Sequence, residues 1–333
     1  MLRNTLSKVV FSIIFFLLIT LTPFLLQAKL EQGIKIVSRT VPSDVMFIFQ
    51  AQTGSGIDLY LAGPDGRIQQ LTNTGFALNP SLSPDGKTVL FEGHTNSKIG
   101  GLFQIFKLDL DSKKVTQISN NSALDCAPAC APDGKHLAFC TKKIAADPNN
   151  IPQWRIYIMD IDGKNRHPLE TQGETCQVTP SWAPDGTKIV FVYSEFLPLQ
   201  KGLPLAFPIV TPKIRDLKTR TTSVLLPGGL AVNDTAWSPS GDFIAFRNHD
   251  PITDIKTIWI VSADGLHLER LTDGPDDAQP AWFPDGSKLV FIRQKKNKKG
   301  MICMIDLKTR KVTELFSSND TSLEHPQVLR TKR

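Results

Sequence analysis

With 333 residues, 41% of them apolar and 21% charged, the chain is too apolar to be disordered, and it is long enough for one large β domain or two ordinary ones. The formal charge of +6 owes much to Lys295, Lys296, Lys298 and Lys299, and to Arg330, Lys332 and Arg333. Such runs read as solvated loops and ends, and no basic surface interleaved with aromatics accompanies them, so nucleic acid is not an expected partner.

Residues 1–28 have the three parts of a secretory signal peptide. Arg3 and Lys8 form a short basic region, residues 9–26 are mostly apolar, and Gln27-Ala28 offers a small residue at a cleavage position. The alternative is an uncleaved N-terminal anchor facing the periplasm, because the apolar stretch is just long enough to span a bilayer. Residues 29–44 then form an N-terminal segment, and residues 331–333 a basic tail.

From residue 45 onward the pattern is that of strands. Residues 45–50, 57–61 and 68–71 read as the second, third and fourth strands of a unit that lacks its first. A motif follows, running from Pro80 through Pro84-Asp85-Gly86 to Phe91, and it recurs four times. Its second proline, or the equivalent, falls at 84, 132, 184, 239 and 284, at intervals of 48, 52, 55 and 45 residues. Each copy reads as a hairpin. Proline fixes φ, aspartate bonds its own backbone, and glycine tolerates positive φ. Third strands follow at 104–109, 155–160, 257–261 and 301–306, and short fourth strands at 115–118 and 268–271. Four strands per repeat of this length make the blade of a β-propeller. At the far end, His325-Pro326 and the residues to 330 read as a first strand without a blade. Joining the two incomplete ends gives an all-β, six-bladed β-propeller over residues 45–330. Its ring is closed by the C-terminal strand, which removes two free sheet edges.

The repeat, as in Pro180-Ser-Trp182-Ala-Pro184-Asp185-Gly186 with Phe191 five residues on, resembles that of the TolB family of periplasmic propellers. The resemblance covers residues 45–330. It implies a periplasmic binding or scaffold protein of the cell envelope rather than an enzyme, with a protein or peptide partner, of which a Pal-like lipoprotein is the example. TolB proteins carry an α/β domain before the propeller. Only residues 29–44 stand there in this sequence, so that domain and its recruitment of TolA are not expected. Similar repeats occur in lyase-type propellers, which keeps a polysaccharide-active enzyme as the alternative.

The residues themselves offer no catalytic, metal or cofactor site. There is no GxSxG nucleophile elbow, HExxH, P-loop or dinucleotide fingerprint. The six histidines fall at different repeat phases, and the Asp-Gly pairs stand where tight turns need them. Among five cysteines, Cys126 and Cys140 stand nearly equidistant from Asp133-Gly134 and should lie opposite each other. A bridge between them, or from Cys126 to Cys176, is open in an oxidising compartment, and Cys303 is expected to be a free thiol.

The more informative set precedes the first proline of each motif. That position reads Asn79, Ala127, Thr179, Asp234, Gln279 and His325. Two residues earlier it reads Ala77, Asp125, Gln177, Val232, Asp277 and Leu323. Inner strands of a propeller line its central channel, so each set should form a ring. Asn79, Asp125, Thr179, Asp234, Asp277, Gln279 and His325 are therefore the candidate partner contacts at the channel mouth. The three aspartates would make that mouth acidic and attractive to a basic or amine-bearing segment, and His325 would make binding depend on pH near 6–7.

Overall fold

A computed structural model describes residues 34–36, 42–94, 101–143, 154–170, 176–195, 209–226, 230–295 and 298–330. The expected leader, the basic tail and Lys296 lie outside the described residues. Every regular element among the described residues is a strand, and the strands form six antiparallel sheets.

Each sheet is one blade. The inner strands of blades two to six are Ala77–Leu82, Ala123–Cys130, Cys176–Trp182, Ala231–Trp237 and Asp277–Trp282. Each runs through a Pro-Asp-Gly turn, or its Pro-Ser-Gly equivalent, into a second strand: Thr88–His94, His136–Lys143, Lys188–Glu195, Phe243–Asp250 and Lys288–Lys295. The turns form as their chemistry requires. In the first, Gly86 takes φ 68° and its N–H reaches Ser83 O, while Asp85 Oδ1 accepts from Lys87 N at 3.0 Å. The second-strand phenylalanines Phe91, Phe139, Phe191, Phe246 and Phe291, with Phe49 in blade one, are all at most 1% exposed.

Blade one is completed from both directions. Its inner strand is Ser322–Arg330, which pairs antiparallel with Val45–Thr53 in a register running from Val45↔Arg330 to Gln52↔Ser322. Closure by the C-terminal strand is thus the observed topology. Ile34–Ile36 departs from the reading of residues 29–44 as a plain segment: it adds a fifth strand to the outer edge of blade six, against Val312–Ser318. The outermost strands of the other five blades are only two or three residues long, whereas Val312–Ser318 has seven. The one long outer edge is the one that is covered, as expected if exposed edges invite wrong pairing.

The core sits between blades, not within one layer. Successive side chains of a strand point to opposite faces, so each blade is apolar on both sides. In blade two, Leu90 packs toward blade three and Phe91 toward blade one. Six apolar clusters result, one at each interface. The largest lies at the seam between blades six and one, where the Phe47 ring meets Phe316 at 5.3 Å and Phe283 at 6.0 Å.

Candidate functional site

Six inner strands converge on the axis, and each presents a backbone edge with no strand beyond it. All six carry the same distortion. Asn79, Ala127, Thr179, Asp234, Gln279 and His325 have φ between 48° and 55°, and the ladder to the second strand shifts register at each of them. None is a glycine. Left-handed backbone costs an ordinary residue about 1–2 kcal/mol, and a proline follows five of the six, which disfavours it further. Strain repeated at one phase of every blade is held by the packing around it.

The distortion turns the N–H of the ring residue out of the ladder, and at four of the six positions a side chain from the preceding blade collects it. Gln50 Oε1 accepts from Asn79 N at 2.8 Å, and Glu92 Oε2 from Ala127 N at 2.8 Å. Asp234 Oδ2 accepts from Gln279 N at 3.3 Å, and Gln279 Oε1 from His325 N at 2.7 Å. Further bonds stitch blade to blade. Trp182 Nε1 donates to Ala129 O and Trp282 Nε1 to Ala236 O, while Trp237 Nε1 stays within its own hairpin at Gly241 O. Cys130 N and Trp237 N donate to Ser81 Oγ and Ser181 Oγ of the blade before.

The ring encloses a polar cavity of ≈ 400 Å³ that extends toward the turn-bearing face, past Pro184 and Pro239. That volume falls within the range of ordinary ligand pockets, roughly 300–1,000 Å³. Asn79, Thr179, Asp234, Gln279 and His325 all line it, as the repeat phase predicts. Asp234 Oδ2 lies 2.9 Å from Arg247 Nε, close enough for an ion pair but out of line for a directed hydrogen bond. Gln279 uses both ends of its amide on one residue. Its Oε1 takes the His325 N–H, so its Nε2 faces His325 Nε2 at 2.8 Å, and that ring nitrogen must accept. Burial holds His325 below the ordinary histidine value; Asp234 and Glu324 oppose this, and Arg247 adds to it. Burial likewise pushes Glu92 up, against the bonds it accepts from Ala127 N and Asn79.

Asp125 and Asp277 are not at the mouth. Both are 0% exposed and point between blades. Asp125 takes Arg166 Nη1 at 2.7 Å and Nη2 at 3.0 Å, with Thr141 Oγ1 and Asn121 Nδ2. Asp277 takes Arg293 Nε at 2.7 Å and Nη2 at 2.8 Å. The strand pleat explains the correction: residues two before the ring face the neighbouring blade, where a carboxylate survives only with a partner. With these two neutralised and Asp234 paired to Arg247, the rim is not the acidic surface the sequence suggests.

Gln50, Glu92 and Arg247 reach the ring without having been singled out by the sequence pattern. They share one signal. The residue after the second-strand phenylalanine reads Gln50, Glu92, Cys140, Val192, Arg247 and Ile292, three polar groups at an otherwise apolar position. Elsewhere, Cys126 is the strand partner of Cys140, as the turn spacing predicts, and both are thiols here. Burial pushes the Cys303 thiol up to about 12. No group of histidine, cysteine, aspartate or glutamate suited to a metal ion occurs among the described residues.

The family described as "TolB beta propeller domain" matches over residues 66–195 and 143–328. The Tol-Pal system protein TolB of Francisella tularensis is 24% identical over 213 residues, 64% of this chain and 44% of that protein. The chain spans half or less of the length of these curated relatives that it matches. Its fold is similar to that of the crystal structure of TolB from Acinetobacter baumannii, with a TM-score of 0.66 at 19% identity over 87% of this chain and 67% of that one. It is also similar to an oligogalacturonate lyase in complex with manganese, with a TM-score of 0.51 at 18% identity over 82% of this chain and 74% of that one. Matched over residues 66–195 and 143–328, the chain belongs to the TolB beta propeller domain family.

Proposed function

We propose that this is an exported cell-envelope binding protein that takes a short segment of a protein partner into the mouth of its central channel, and that it is not an enzyme. The ring of six strained residues around a polar cavity carries this reading, because strain maintained at every blade is expected where a surface is preorganised for a ligand. Rigid inner strands, not loops, present Asn79, Thr179, Asp234, Gln279 and His325 to that cavity. The signal-peptide pattern of residues 1–28 and the likeness to Tol-Pal system proteins support an envelope location, with a Pal-like lipoprotein as the model partner.

The test is capture of partners from an envelope extract by the intact protein and by Asp234→Ala and His325→Ala variants of verified fold. Loss of at least one partner in either variant supports channel binding. Undiminished capture of every partner moves the site to an outer face. Turnover of oligogalacturonate by the intact protein would establish the lyase alternative instead.

A further inference from the structure

The ring is unequal around its circumference. Four of its six outward-turned N–H groups are collected by an amide or carboxylate oxygen of the protein itself, from Gln50, Glu92, Asp234 and Gln279. The other two belong to Thr179 and Asp234, which have the same backbone conformation, φ 51° and 54°. The positions that would serve them hold Cys140 and Val192 on the second strands, and Ala127 and Thr179 in the ring. Among the described residues no side chain accepts from either N–H. Thr179 Oγ1 is buried in the same sector and also lacks a partner. Its carbonyl is occupied, accepting from Thr235 Oγ1 at 2.8 Å. Ala127 carries the smallest side chain of the ring, and it and Thr179 both line the cavity.

From this juxtaposition we propose that the notch between Ala127 and Asp234 is an amide-binding subsite. The amide oxygen of an inserted segment takes the N–H of Thr179 or Asp234, and the amide N–H is accepted by Thr179 Oγ1. The ligand group then does what Gln50 and Gln279 do at other positions of the ring. The proposal rests on the channel reading above and names the chemistry of the segment that enters.

Competing groups fit less well. A carboxylate would be partly buried there with no cation of its own, because Arg247 is already paired with Asp234. An apolar side chain would leave two donors and a hydroxyl dry and unpaired, the situation that makes hydrogen-bonding sites reject analogues lacking the matching group. The amide has two sources, an Asn or Gln side chain or the main chain of the segment.

The experiment is an NMR titration of the ¹⁵N-labelled protein with three capped tripeptides, acetyl-Gly-Gln-Gly-amide and its Glu and Leu counterparts. The expected result is saturable shifts of the Thr179 and Asp234 amide resonances, with the Gln peptide binding about tenfold tighter than the others. Thr179→Val keeps the β-branch and removes the hydroxyl, and should bring that preference below about threefold. Ala127→Gln should fill the notch as Gln279 does for His325, abolishing the shifts and raising the unfolding temperature. Equal binding of the Gln and Leu peptides, lost in Ala127→Gln, assigns the amide to the main chain. No shift at these two residues, tightest binding by the Glu peptide, or unchanged binding in Ala127→Gln overturns the subsite. The channel reading fails separately: partner capture lost in Asp234→Ala but intact in Ala127→Gln sinks the subsite alone, whereas capture intact in Asp234→Ala and His325→Ala sinks the channel.

Discussion

Stopping the chain after Ser322 removes the strand that closes the ring. Leu323 is 0% exposed and Val328 9%, and burying such side chains contributes about 1.5–3 kcal/mol each, so their loss alone amounts to roughly 3–6 kcal/mol. The same cut takes the inner neighbour from Val45–Thr53 and uncovers Phe47, Phe49 and Ala51, each 0% exposed. Domains of this kind have a total stability of about 5–15 kcal/mol, so the truncation should remove most of it and unfold the whole ring rather than one blade. Circular dichroism with heat and with urea should show an unfolding midpoint lowered by well over 10 °C, or no cooperative transition. Leu323→Ala provides the graded version, at about 2–5 kcal/mol for a cavity at the seam. A truncated protein melting within about 2 °C of the intact one would refute closure as the source of stability.

Four further outcomes follow from the same contacts. Asp277→Ala leaves the Arg293 guanidinium without its buried partner and should cost about 3–5 kcal/mol in urea unfolding; the Asp277→Ala, Arg293→Met double variant should recover most of that, and a single-variant loss below about 1 kcal/mol contradicts the assignment. His325 has a folded pKa below the ordinary 6.5, so the unfolded chain takes up its proton first, and stability is lost as pH falls from about 6.5 toward the folded value; the drop in melting temperature between pH 7.5 and 5.5 should shrink in His325→Gln. Glu92 has the opposite sign, its raised pKa costing stability as pH climbs above 4.5, so Glu92→Gln should raise the melting temperature at pH 7.5 by on the order of 2–4 °C and lose that advantage at pH 4.5. Deleting residues 29–41 strips Ile34–Ile36 from blade six, and concentration-dependent association in analytical ultracentrifugation is expected from the bared Val312–Ser318 edge; a strictly monomeric deletion variant would show that the edge needs no cover.

The blades were legible because their signals are local. A Pro-Asp-Gly turn, an alternating strand and a buried phenylalanine recur within a dozen residues, and the two half-blades at the ends told where the ring closes. The channel ring was legible in membership but not in conformation, since a residue before proline reads as extended backbone, which outweighs the mild tendency of Asn79 and His325 toward positive φ, and Thr179 has no such tendency. Asp125 and Asp277 misled for a different reason. Arg166, which neutralises Asp125, stands 41 residues away on a blade edge, and no spacing rule links the two. Ile34–Ile36 was missed because three apolar-polar residues make too short a signal until Val312–Ser318 supplies the partner.

The pairing of Val45 with Arg330 also bears on how the molecule is made. Everything from Val45 to Arg330 must be synthesised before Val45–Thr53 has its full inner neighbour, and contacts so distant in sequence form slowly. Until then Val45–Thr53 waits with an open edge and the seam cluster has only part of its members. Ser322–Arg330 therefore works as a check on closure: a product that stops at Ser322 has all five copies of the repeated hairpin motif intact, yet should be a substrate for proteases rather than a slightly weaker protein. Nonsense and frameshift mutations near residue 322 should accordingly behave as nulls, while substitutions in the exposed outer turns are tolerated.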